Sequence, residues 1–308
     1  MSAPQPLDVV VVGDLFADLI MSGFPSWPAR AGEELFADRF CREIGGGAAI
    51  TACGLAKLGA KVGVAGVVGE TDGQWLIDGL AANGVDISSM QRSSREPTGV
   101  TVSISGATDR TFLTYMGANR ELPSMFKPVA SRGGLTKARH VHLAFAPAAP
   151  EAGNLFKELI VQGCSLSVDI GWHPEWLSDR DCREALRNVN IFFPNEREAA
   201  LMTGQTEPRR ILQAFEKAAF RTVALKLGPA GAALLCDGTI TFCEPITVQS
   251  VDATGAGDCF DAGFLYAWLR GDNPKNCLKA GTVCGALSTR RLGGIAGFPT
   301  VAEMDALL

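Results

Sequence analysis

The chain has 308 residues, of which 47% are hydrophobic and 20% are charged, and its 35 glycines and 16 prolines follow no period. This composition is typical of a globular protein, because so much apolar surface can offset the entropy of the unfolded chain, and it excludes collagen-like, low-complexity and mainly disordered classes. A net charge of −5 argues against a broad surface for nucleic acid or for an anionic membrane.

Two further classes are disfavoured. Uncharged apolar runs stay shorter than the roughly 18 residues of a transmembrane helix. The first residues, MSAPQPLDVVVVG, lack the basic segment of a secretory signal. The nine cysteines form no CxxC pair, and several lie in apolar stretches. We therefore expect reduced thiols in a cytoplasmic protein that does not bind membranes.

The first predicted element is a strand over residues 7–12, a continuous β-branched run that is typical of a parallel strand buried on both faces. A helix is predicted over 48–58, directly after three glycines. A strand over 62–68 and a helix over 71–83 follow, and Asn83-Gly84 closes that helix.

Residues 98–116 show a different pattern. Val100, Val102 and Ile104 alternate with small polar residues, and a turn at GATD leads into a returning strand. This alternation predicts a hairpin with one polar face, standing off the main body as part of a separate small sheet.

The rest of the chain alternates short strands with longer helices, which favours βαβ units and a mostly parallel sheet flanked by helices. Strands are predicted at 141–145, 166–168, 191–193, 223–227, 232–235 and 239–242, and helices at 151–162, 179–187, 196–203, 208–219, 256–270 and 274–289. We expect one α/β domain over residues 1–308, with a small β appendage built from segments near 15–45 and 98–118.

The strongest chemical signal is the sequence DATGAGD at residues 252–258, which opens directly onto an amphipathic helix. Free backbone N–H groups and the helix dipole favour an anion at such a start, and glycines allow it to approach closely. Asp258 beside that anion could take a proton from an attacking hydroxyl. For this motif alone, the simpler interpretation is a glycine turn whose Asp complements the helix dipole. The chain has neither a Walker A loop nor a dinucleotide fingerprint.

Four ordered motifs give the chain a family resemblance. Residues 251–264 (VDATGAGDCFDAGF) resemble the C-terminal signature of the PfkB, or ribokinase-like, carbohydrate kinases. Residues 45–52 resemble the N-terminal glycine signature of that family. Residues 194–198 resemble its Asn-x-x-Glu motif, and residues 226–231 resemble its nucleotide-side Gly-x-x-Gly turn. The resemblance runs from about residue 8 to residue 300 and implies a ribokinase-like α/β fold with a β-sheet lid.

The resemblance also implies ATP-dependent phosphorylation of a hydroxymethyl group on a sugar or sugar-like alcohol. Asp258 would be the general base, and the backbone of Gly255, Ala256 and Gly257 would stabilise the transferring phosphoryl group. A nucleoside kinase of the same family is the alternative enzyme. A non-catalytic sugar sensor on this fold is the alternative from another class.

On the nucleotide side, the family pattern assigns cofactor contacts to Lys226, Gly228 and Gly231. Asn195 and Glu198 would hold Mg²⁺ through water, and their spacing also fits a helix capping box, so that both roles can hold together. Asp252 matches a position that contributes to a monovalent-cation site, for K⁺, in many members of the family.

On the acceptor side, the family pattern places Asp18 on sugar hydroxyls, and it brings the backbone amides of Gly45 and Gly46 to the substrate. The 98–116 hairpin matches the family's β-lid, which excludes water from the site and often pairs with a second subunit. We therefore expect a homodimer formed through the lid.

Two departures affect the acceptor. Ile50 stands where the family usually has an Asn, and 169–173 reads DIGWH where many sugar kinases have Asp-x-Asn-x-Arg. These changes weaken an assignment as a fructokinase or a 2-keto-3-deoxygluconate kinase. If Ile50 lines the acceptor pocket, it offers a methyl surface there. The alternative is that it packs inward under its helix.

Weaker candidates have simpler explanations. His140 and His142 share one strand face but lack a third metal ligand, which argues against zinc. Trp172 and Trp176 could line a sugar or nucleoside pocket or pack in the core. Arg290-Arg291 reads as a solvated helix end. The missing GxGxxG motif argues against a dehydrogenase.

Overall fold

The computed structural model describes residues 7–24, 32–105, 110–124, 138–147 and 149–308. Its centre is an eight-stranded sheet in the order β14-β13-β12-β11-β10-β9-β1-β4. Neighbouring strands from β12 to β4 in this order pair in parallel. Strand β13 pairs antiparallel with both β12 and β14. These strands are β1 (Leu7–Gly13), β4 (Val62–Ala65), β9 (Ala138–Ala144), β10 (Ser165–Asp169), β11 (Ile191–Phe192), β12 (Thr222–Lys226), β13 (Ala232–Cys236) and β14 (Thr239–Cys243).

Helices cover both faces of this sheet, as a mostly parallel sheet requires. Side chains that alternate along β1 reach opposite cores: Val10 and Val12 join one cluster of buried residues, and Val9 and Val11 join the other. The helices are α1 (Gly47–Lys57), α2 (Gln74–Ala82), α3 (Ala149–Val161), α4 (Pro174–Ser178), α5 (Arg180–Leu186), α6 (Glu196–Thr203), α7 (Pro208–Lys217), α8 (Ala256–Leu269), α9 (Pro274–Ser288) and α10 (Val301–Asp305).

A second sheet of four strands, here called the lid sheet, has the order β3-β2-β7-β8. It consists of β2 (Phe16–Ser22), β3 (Arg39–Gly45), β7 (Gly99–Ser105) and β8 (Arg110–Tyr115). Strands β7 and β8 form the predicted hairpin, and the turn between them, residues 106–109, lies outside the described residues. Asp18 of β2 pairs with Glu43 and Thr101, so these three side chains share one face. The separate small sheet expected from the sequence is therefore present.

The α/β class and the mostly parallel sheet are confirmed, with local corrections. The strand predicted at 62–68 is interrupted, because β4 ends at Ala65 and β5 (Val67–Gly69) pairs instead with β6 (Gln91–Ser93). A Cβ atom on the intervening Gly66 would lie 2.5 Å from Leu15 Cδ1, which shows how tightly the chain packs there. The helix predicted at 179–187 is preceded by the separate turn of α4, and α2 begins three residues later than predicted, at Gln74.

Among the described residues, no helix is long and apolar enough to cross a membrane. The carboxyl ends of β1, β9, β10, β11 and β12 meet along one edge of the main sheet. In open parallel sheets this edge is where ligands bind, and the residues predicted to be functional gather around it.

Candidate active site

Helix α8 starts at the predicted anion-binding motif. Its N-cap, Gly255, has φ 70°, a left-handed conformation, and no side chain of the described residues caps the first turn. A Cβ atom on Gly255 would lie 2.7 Å from Ile50 Cδ1 and 3.0 Å from Gly294 Cα, so the position requires glycine for space as well as for its backbone angle. Residues 255–257 are here called the anion loop. The N–H group of Ala256 donates to the backbone carbonyl of Ala253 at 3.2 Å, and a helix start of this kind directs its remaining N–H groups toward an anion.

Helix α1 starts at three glycines that face two carboxyl groups and one backbone carbonyl. A Cβ atom on Gly45 would lie 2.0 Å from Asp18 Cγ, and one on Gly46 would lie 2.2 Å from the backbone oxygen of Asp14. The N-cap of α1, Gly46, has φ 92° and no side-chain cap. The third glycine, Gly47, would place a Cβ atom 3.0 Å from Asp258 Oδ1. The starts of α1 and α8 therefore meet at Asp258.

Hydrogen bonds hold the two helix starts and the first loop in place. The hydroxyl of Thr51 in α1 donates to the backbone carbonyl of Asp258, 3.2 Å away. The side chain of Asn119 bonds both the N–H and the C=O of Leu15, each at 2.9 Å, and so fixes the chain between Asp14 and β2.

Three carboxyl groups around these glycines are poorly solvated. Burial raises the pKa of Asp258 to about 7, with a further contribution from Asp169, while Lys226 acts in the opposite direction. Burial, followed by the charges of Asp258, Asp252 and Glu43, raises the pKa of Asp18 to about 7. Burial alone raises the pKa of Asp14 to about 7. A carboxyl with a pKa near neutrality is suited to accept and release protons at physiological pH.

Lys226, at the end of β12, lies under the anion loop. Its ammonium contacts Asp169 Oδ2 at 2.6 Å and Asp261 Oδ1 at 3.3 Å. A Cβ atom on Gly257 would lie 3.5 Å from Lys226 Nζ. One carboxyl oxygen from each of Asp169, Asp258 and Asp261 lies within 4.8 Å of the others. The ammonium of Lys226 forms ion pairs with Asp169 and Asp261.

Asn195 and Glu198 form the capping box that their spacing predicts. Asn195 Oδ1 accepts from the backbone N–H of Glu198 at 3.0 Å, and Glu198 Oε2 accepts from the backbone N–H of Asn195 at 2.9 Å. Asn195 Nδ2 also donates to Glu198 Oε1 at 2.6 Å. Burial and the nearby Asp169 raise the pKa of Glu198 to about 7.

A cavity of about 460 Å³ opens beside the anion loop. Lys226, Gly228, Gly231 and Gly257 line it at the loop, and an apolar wall follows, formed by Pro229, Pro245, Ile246, Val248, Phe260 and Ala286. Its volume and its mostly apolar lining are typical of a site for a small organic molecule. Of the five residues predicted to bind the cofactor, Lys226, Gly228 and Gly231 line this cavity, whereas Asn195 and Glu198 are not among its lining residues.

Asp252 is the first residue of the 252–254 turn and is 2% exposed. Its carboxylate accepts hydrogen bonds from the backbone N–H of Thr254 at 2.7 Å and of Gly293 at 2.9 Å. These bonds join the chain before the anion loop to the segment that follows α9. They give Asp252 a structural role, whether or not a cation binds there.

The contacts of Ile50 favour the inward alternative. Its side chain is 3% exposed and packs against Gly255 and Gly294, so it supports the anion loop from below. The methyl surface that the sequence offers to an acceptor is therefore largely covered in the described structure.

Of the weaker candidates from the sequence, two histidines and one tryptophan are buried, and one tryptophan is half exposed. His140 and His142 are fully buried and bond the hydroxyls of Ser165 and Ser167 on β10. Trp176 is 9% exposed and donates from Nε1 to a backbone carbonyl, which is a packing role. Trp172 is 49% exposed, under the guanidinium of Arg197 at 4.7 Å.

Sequence reasoning missed three residues at this site. Asp14 and Asn119 become relevant only through contacts that fold distant segments together. Asp261 could have been noticed, because it lies one helical turn after Asp258 in a strongly apolar segment, where a carboxyl group needs a partner.

Comparisons with known proteins agree with this geometry. A family profile for pfkB family carbohydrate kinases matches residues 7–301. The chain is 28% identical to a 2-dehydro-3-deoxygluconokinase of Bacillus subtilis, over 87% of each chain. It is 26% identical to a ribokinase of Haemophilus influenzae, over 96% of each chain. A solved structure of Arabidopsis thaliana ribokinase complexed with ribose and ATP superimposes with a TM-score of 0.81, at 26% identity and over 98% of each chain.

The fold and the site thus define a phosphotransferase of the ribokinase-like class. The chain belongs to the PfkB family of carbohydrate kinases, because the family profile covers nearly its whole length. The resemblance seen in its four motifs is confirmed.

Proposed function

We propose that the protein transfers the γ-phosphoryl group of ATP to a hydroxymethyl group of a sugar or sugar-like alcohol. The observation that carries this proposal is the position of Asp258. Its carboxyl group lies where the start of α1, on the acceptor side, meets the anion loop on the donor side. A base at this junction can reach an acceptor hydroxyl while the loop binds the phosphoryl group.

Two groups of residues, named here for use below, would hold the two substrates. The acceptor side consists of Asp14, Asp18 and the glycines of α1. A buried carboxyl such as Asp18 can bond the hydroxyls of a bound sugar. The donor side consists of the anion loop, Lys226 and the cavity. Its apolar wall suits the base and ribose of the nucleotide, and Gly228 and Gly231 let the backbone approach it closely.

The chemical step forms a bond from the acceptor oxygen to the γ-phosphorus and breaks the bond from that phosphorus to the β–γ bridging oxygen. Asp258 receives the proton of the acceptor hydroxyl, and ADP leaves with the electron pair. The N–H groups of the anion loop stabilise negative charge on the phosphoryl oxygens. The lid sheet, whose Asp18 face borders the site, would keep water away from the phosphoryl group.

Asn195 and Glu198 fit a role near Mg²⁺. Both side chains can offer oxygen atoms as ligands, and Mg²⁺ prefers oxygen ligands. Each of these oxygens already accepts a hydrogen bond within the capping box, which favours contact with Mg²⁺ through water over direct ligation. A nearby divalent cation would favour the ionised form of Glu198, against the effect of burial. When bound, Mg²⁺ neutralises charge on the phosphates. K⁺ at Asp252 is a further expectation from the family pattern.

A nucleoside acceptor is the second candidate, and Trp172 favours it. This half-exposed ring lies after β10 at the carboxyl edge of the sheet and offers a flat surface to a base. Trp176 does not support a nucleoside acceptor, since its side chain is buried and donates a hydrogen bond to the backbone.

An ADP-release screen with Mg·ATP over sugars, polyols and nucleosides tests the proposal. We expect acceptor-dependent ADP release for at least one sugar or sugar-like alcohol. Release with nucleosides alone would support the second candidate. Tight sugar binding by calorimetry without ADP release would indicate the non-catalytic sensor and overturn the proposal.

The lid sheet supports the further proposal of a homodimer. On the face opposite Asp18, the register partners Leu19, Val102 and Leu113 form an apolar row that ends at Arg42 on β3, and Leu113 is 56% exposed. Phe40 of β3, on the same face, is 61% exposed. An apolar sheet face of this kind is typically covered in a soluble protein, here by the lid of a second copy. A cytoplasmic location stays a prediction.

A further inference from the structure

Within the part of the chain that the structure describes, the cluster around Lys226 contains more carboxyl groups than the charge of this lysine can balance. The side chains of Lys226, Asp169 and Asp261 are 12%, 11% and 0% exposed. Asp261 approaches the lysine with both oxygens, Oδ1 at 3.3 Å and Oδ2 at 3.4 Å from Nζ. Asp258 lies in the same group of carboxyls. Three ionised carboxylates beside one ammonium would leave a net negative charge away from water, which is strongly unfavourable.

A proton on one of these carboxyl groups would reduce the excess negative charge, and the contacts of Asp169 and Asp261 indicate which of the two carries it. Asp169 has the shortest contact with Lys226, 2.6 Å, and also accepts from the backbone N–H of Gly171 at 3.0 Å. These bonds favour its ionised form. Asp261 has the longer contacts with the lysine, and one of its carboxyl oxygens lies within 4.8 Å of a carboxyl oxygen of Asp169. A hydrogen bond between two carboxyl groups requires a proton on one of them.

We propose that Asp261 is a positioning residue that stays protonated and donates a hydrogen bond to Asp169, so that Lys226 and Asp169 balance each other and Asp258 alone exchanges its proton during turnover. This inference rests on the proposed function, because it assigns the base in that reaction its charge environment.

The electrostatics of the cluster agree with this arrangement. Burial raises the pKa of Asp261 well above its ordinary value, although Lys226 acts in the opposite direction. Lys226 and the hydrogen bonds from Asp261 and Gly171 hold the pKa of Asp169 below its usual range, against burial.

The charge state of Asp261 affects the proton affinity of Asp258, because the two residues lie three residues apart on one face of α8. An ionised Asp261 would make Asp258 hold its proton more tightly, and the base would be idle at neutral pH. A neutral Asp261 avoids that repulsion and still orients Lys226, whose Nζ lies 3.5 Å from the Cβ position of Gly257 in the anion loop.

Other titratable groups surround the cluster, and several of them change charge near neutral pH, so the experiments below compare variants in which these groups are the same. The groups are Asp14 after β1, Asp18 and Glu43 on the lid sheet, His142 on β9, Glu198 on α6, and Asp252 and Cys259 near the start of α8.

The pH dependence of kcat/KM separates the possible charge states. In Asp261→Asn the amide replaces a neutral acid, so we expect the acid-limb midpoint to stay within about 0.3 pH units of the wild type. In Lys226→Met the midpoint should rise by about 1–3 units, because the cation that favours ionised Asp258 is lost. A midpoint that falls by about one unit in Asp261→Asn would show that Asp261 is ionised and overturn the proposal.

A second comparison separates positioning from simple packing. Asp261→Ala removes the hydrogen bond to Asp169, and we expect kcat to fall about tenfold or more while the KM for ATP changes little. The amide of Asp261→Asn can still donate that bond and should restore most of kcat. Equal losses of kcat in both variants, with an unchanged midpoint, would contradict the positioning role.

A measurement without turnover keeps this inference separate from the proposed function. In protein with ¹³C-labelled aspartate, the carboxyl resonance of Asp261 can be assigned through its own backbone. We expect it to keep the shift of a protonated acid from about pH 5.5 to about pH 8.5. A carboxylate shift in that range would overturn the proposal, whereas missing ADP release with this acid signature intact would contradict only the proposed function.

Discussion

On the donor side of the site, charged side chains bond one another. Lys226 contacts Asp169 and Asp261, and Asn195 and Glu198 form a closed capping box. The acceptor side is built differently, because the carboxyl of Asp18 is buried against Gly45 and burial raises the pKa of both Asp14 and Asp18 to about 7. The donor side is thus organised before any substrate binds. The acceptor side gains from a ligand whose hydroxyls bond its carboxyls.

This difference suggests why one scaffold can serve many acceptors. The donor side and its base depend on backbone N–H groups and a buried ion cluster, which tolerate few changes. The acceptor side depends on individual side chains around a lid, which can be exchanged without disturbing the anion loop. Variants that change binding or turnover through one side alone would support the independence of the donor and acceptor sides. Variants that change both would contradict it.

The largest expected effect comes from the residue that both sides share. Asp258→Asn keeps the size of the side chain but cannot accept the acceptor proton, so we expect kcat to fall by roughly 10²–10⁴-fold with ATP binding retained. Asp305→Asn, the same change on an exposed residue of α10, is the matched control. Near-wild-type turnover in Asp258→Asn would show that another group is the base.

Gly45→Ala should damage the acceptor side alone. The new Cβ atom would lie 2.0 Å from Asp18 Cγ, so that Asp18 must move. A displacement of this size commonly costs about 10²-fold in rate, and we expect that loss in kcat/KM for the acceptor with the KM for ATP unchanged. Gly153→Ala in α3, whose Cβ atom would meet only Ala185 at 3.8 Å, is the control. A parallel loss of ATP affinity would mean that the two sides are coupled.

A charge on the lid sheet tests the proposed homodimer. Val102→Glu in the apolar row should weaken the proposed dimer by about tenfold or more, since a carboxylate there would be buried without a partner. Light scattering across micromolar concentrations measures the change. A wild type that is monomeric at those concentrations would refute the dimer.

Ile50 lies between the two sides and distinguishes two interpretations. Because it packs under Gly255 and Gly294, Ile50→Asn should lower the free energy of unfolding by about 2–4 kcal/mol and leave the ratio of kcat/KM values among acceptors unchanged. Ile50→Val, which keeps an apolar contact, should cost about 1 kcal/mol. A selective gain of Ile50→Asn on an ordinary hexose or pentose would instead support an acceptor contact.

The sequence predicted the fold class, most elements and the motif-bearing residues, because periodicity and glycine-rich helix starts are local signals. It also predicted the capping box of Asn195 and Glu198, whose atoms lie within one helical turn. It could not predict that Lys226 would be shared between Asp169 and Asp261, since that cluster unites β10, β12 and α8. The covered position of Ile50 depends likewise on Gly294, which is far along the chain.

The smallest effect concerns stability and is best measured as a difference between variants. The folded-state pKa of Asp258 is raised from 3.8 to about 7, so its protonated form stabilises the fold at low pH, and this contribution is lost as pH rises through about 7. The buried His140 and His142 act in the opposite direction, because burial lowers the pKa of both and the unfolded chain binds their protons below about 6.5. The wild-type curve alone therefore mixes both contributions.

Comparing Asp258→Asn with the wild type isolates the carboxyl, since the histidines are common to both proteins. At about pH 5.5 the unfolded wild type has already released the proton of Asp258 while the folded protein keeps it, so the wild type has lost only part of this contribution relative to the variant. By about pH 8 the folded carboxyl is ionised as well and the loss is complete, so we expect the Tm advantage of the variant to grow by roughly 2–4 °C between these two pH values. Asp305→Asn should show no such pH-dependent difference. A constant difference between Asp258→Asn and the wild type across this range would mean that Asp258 is already ionised at low pH, and that the base is better solvated than its position between α1 and α8 indicates.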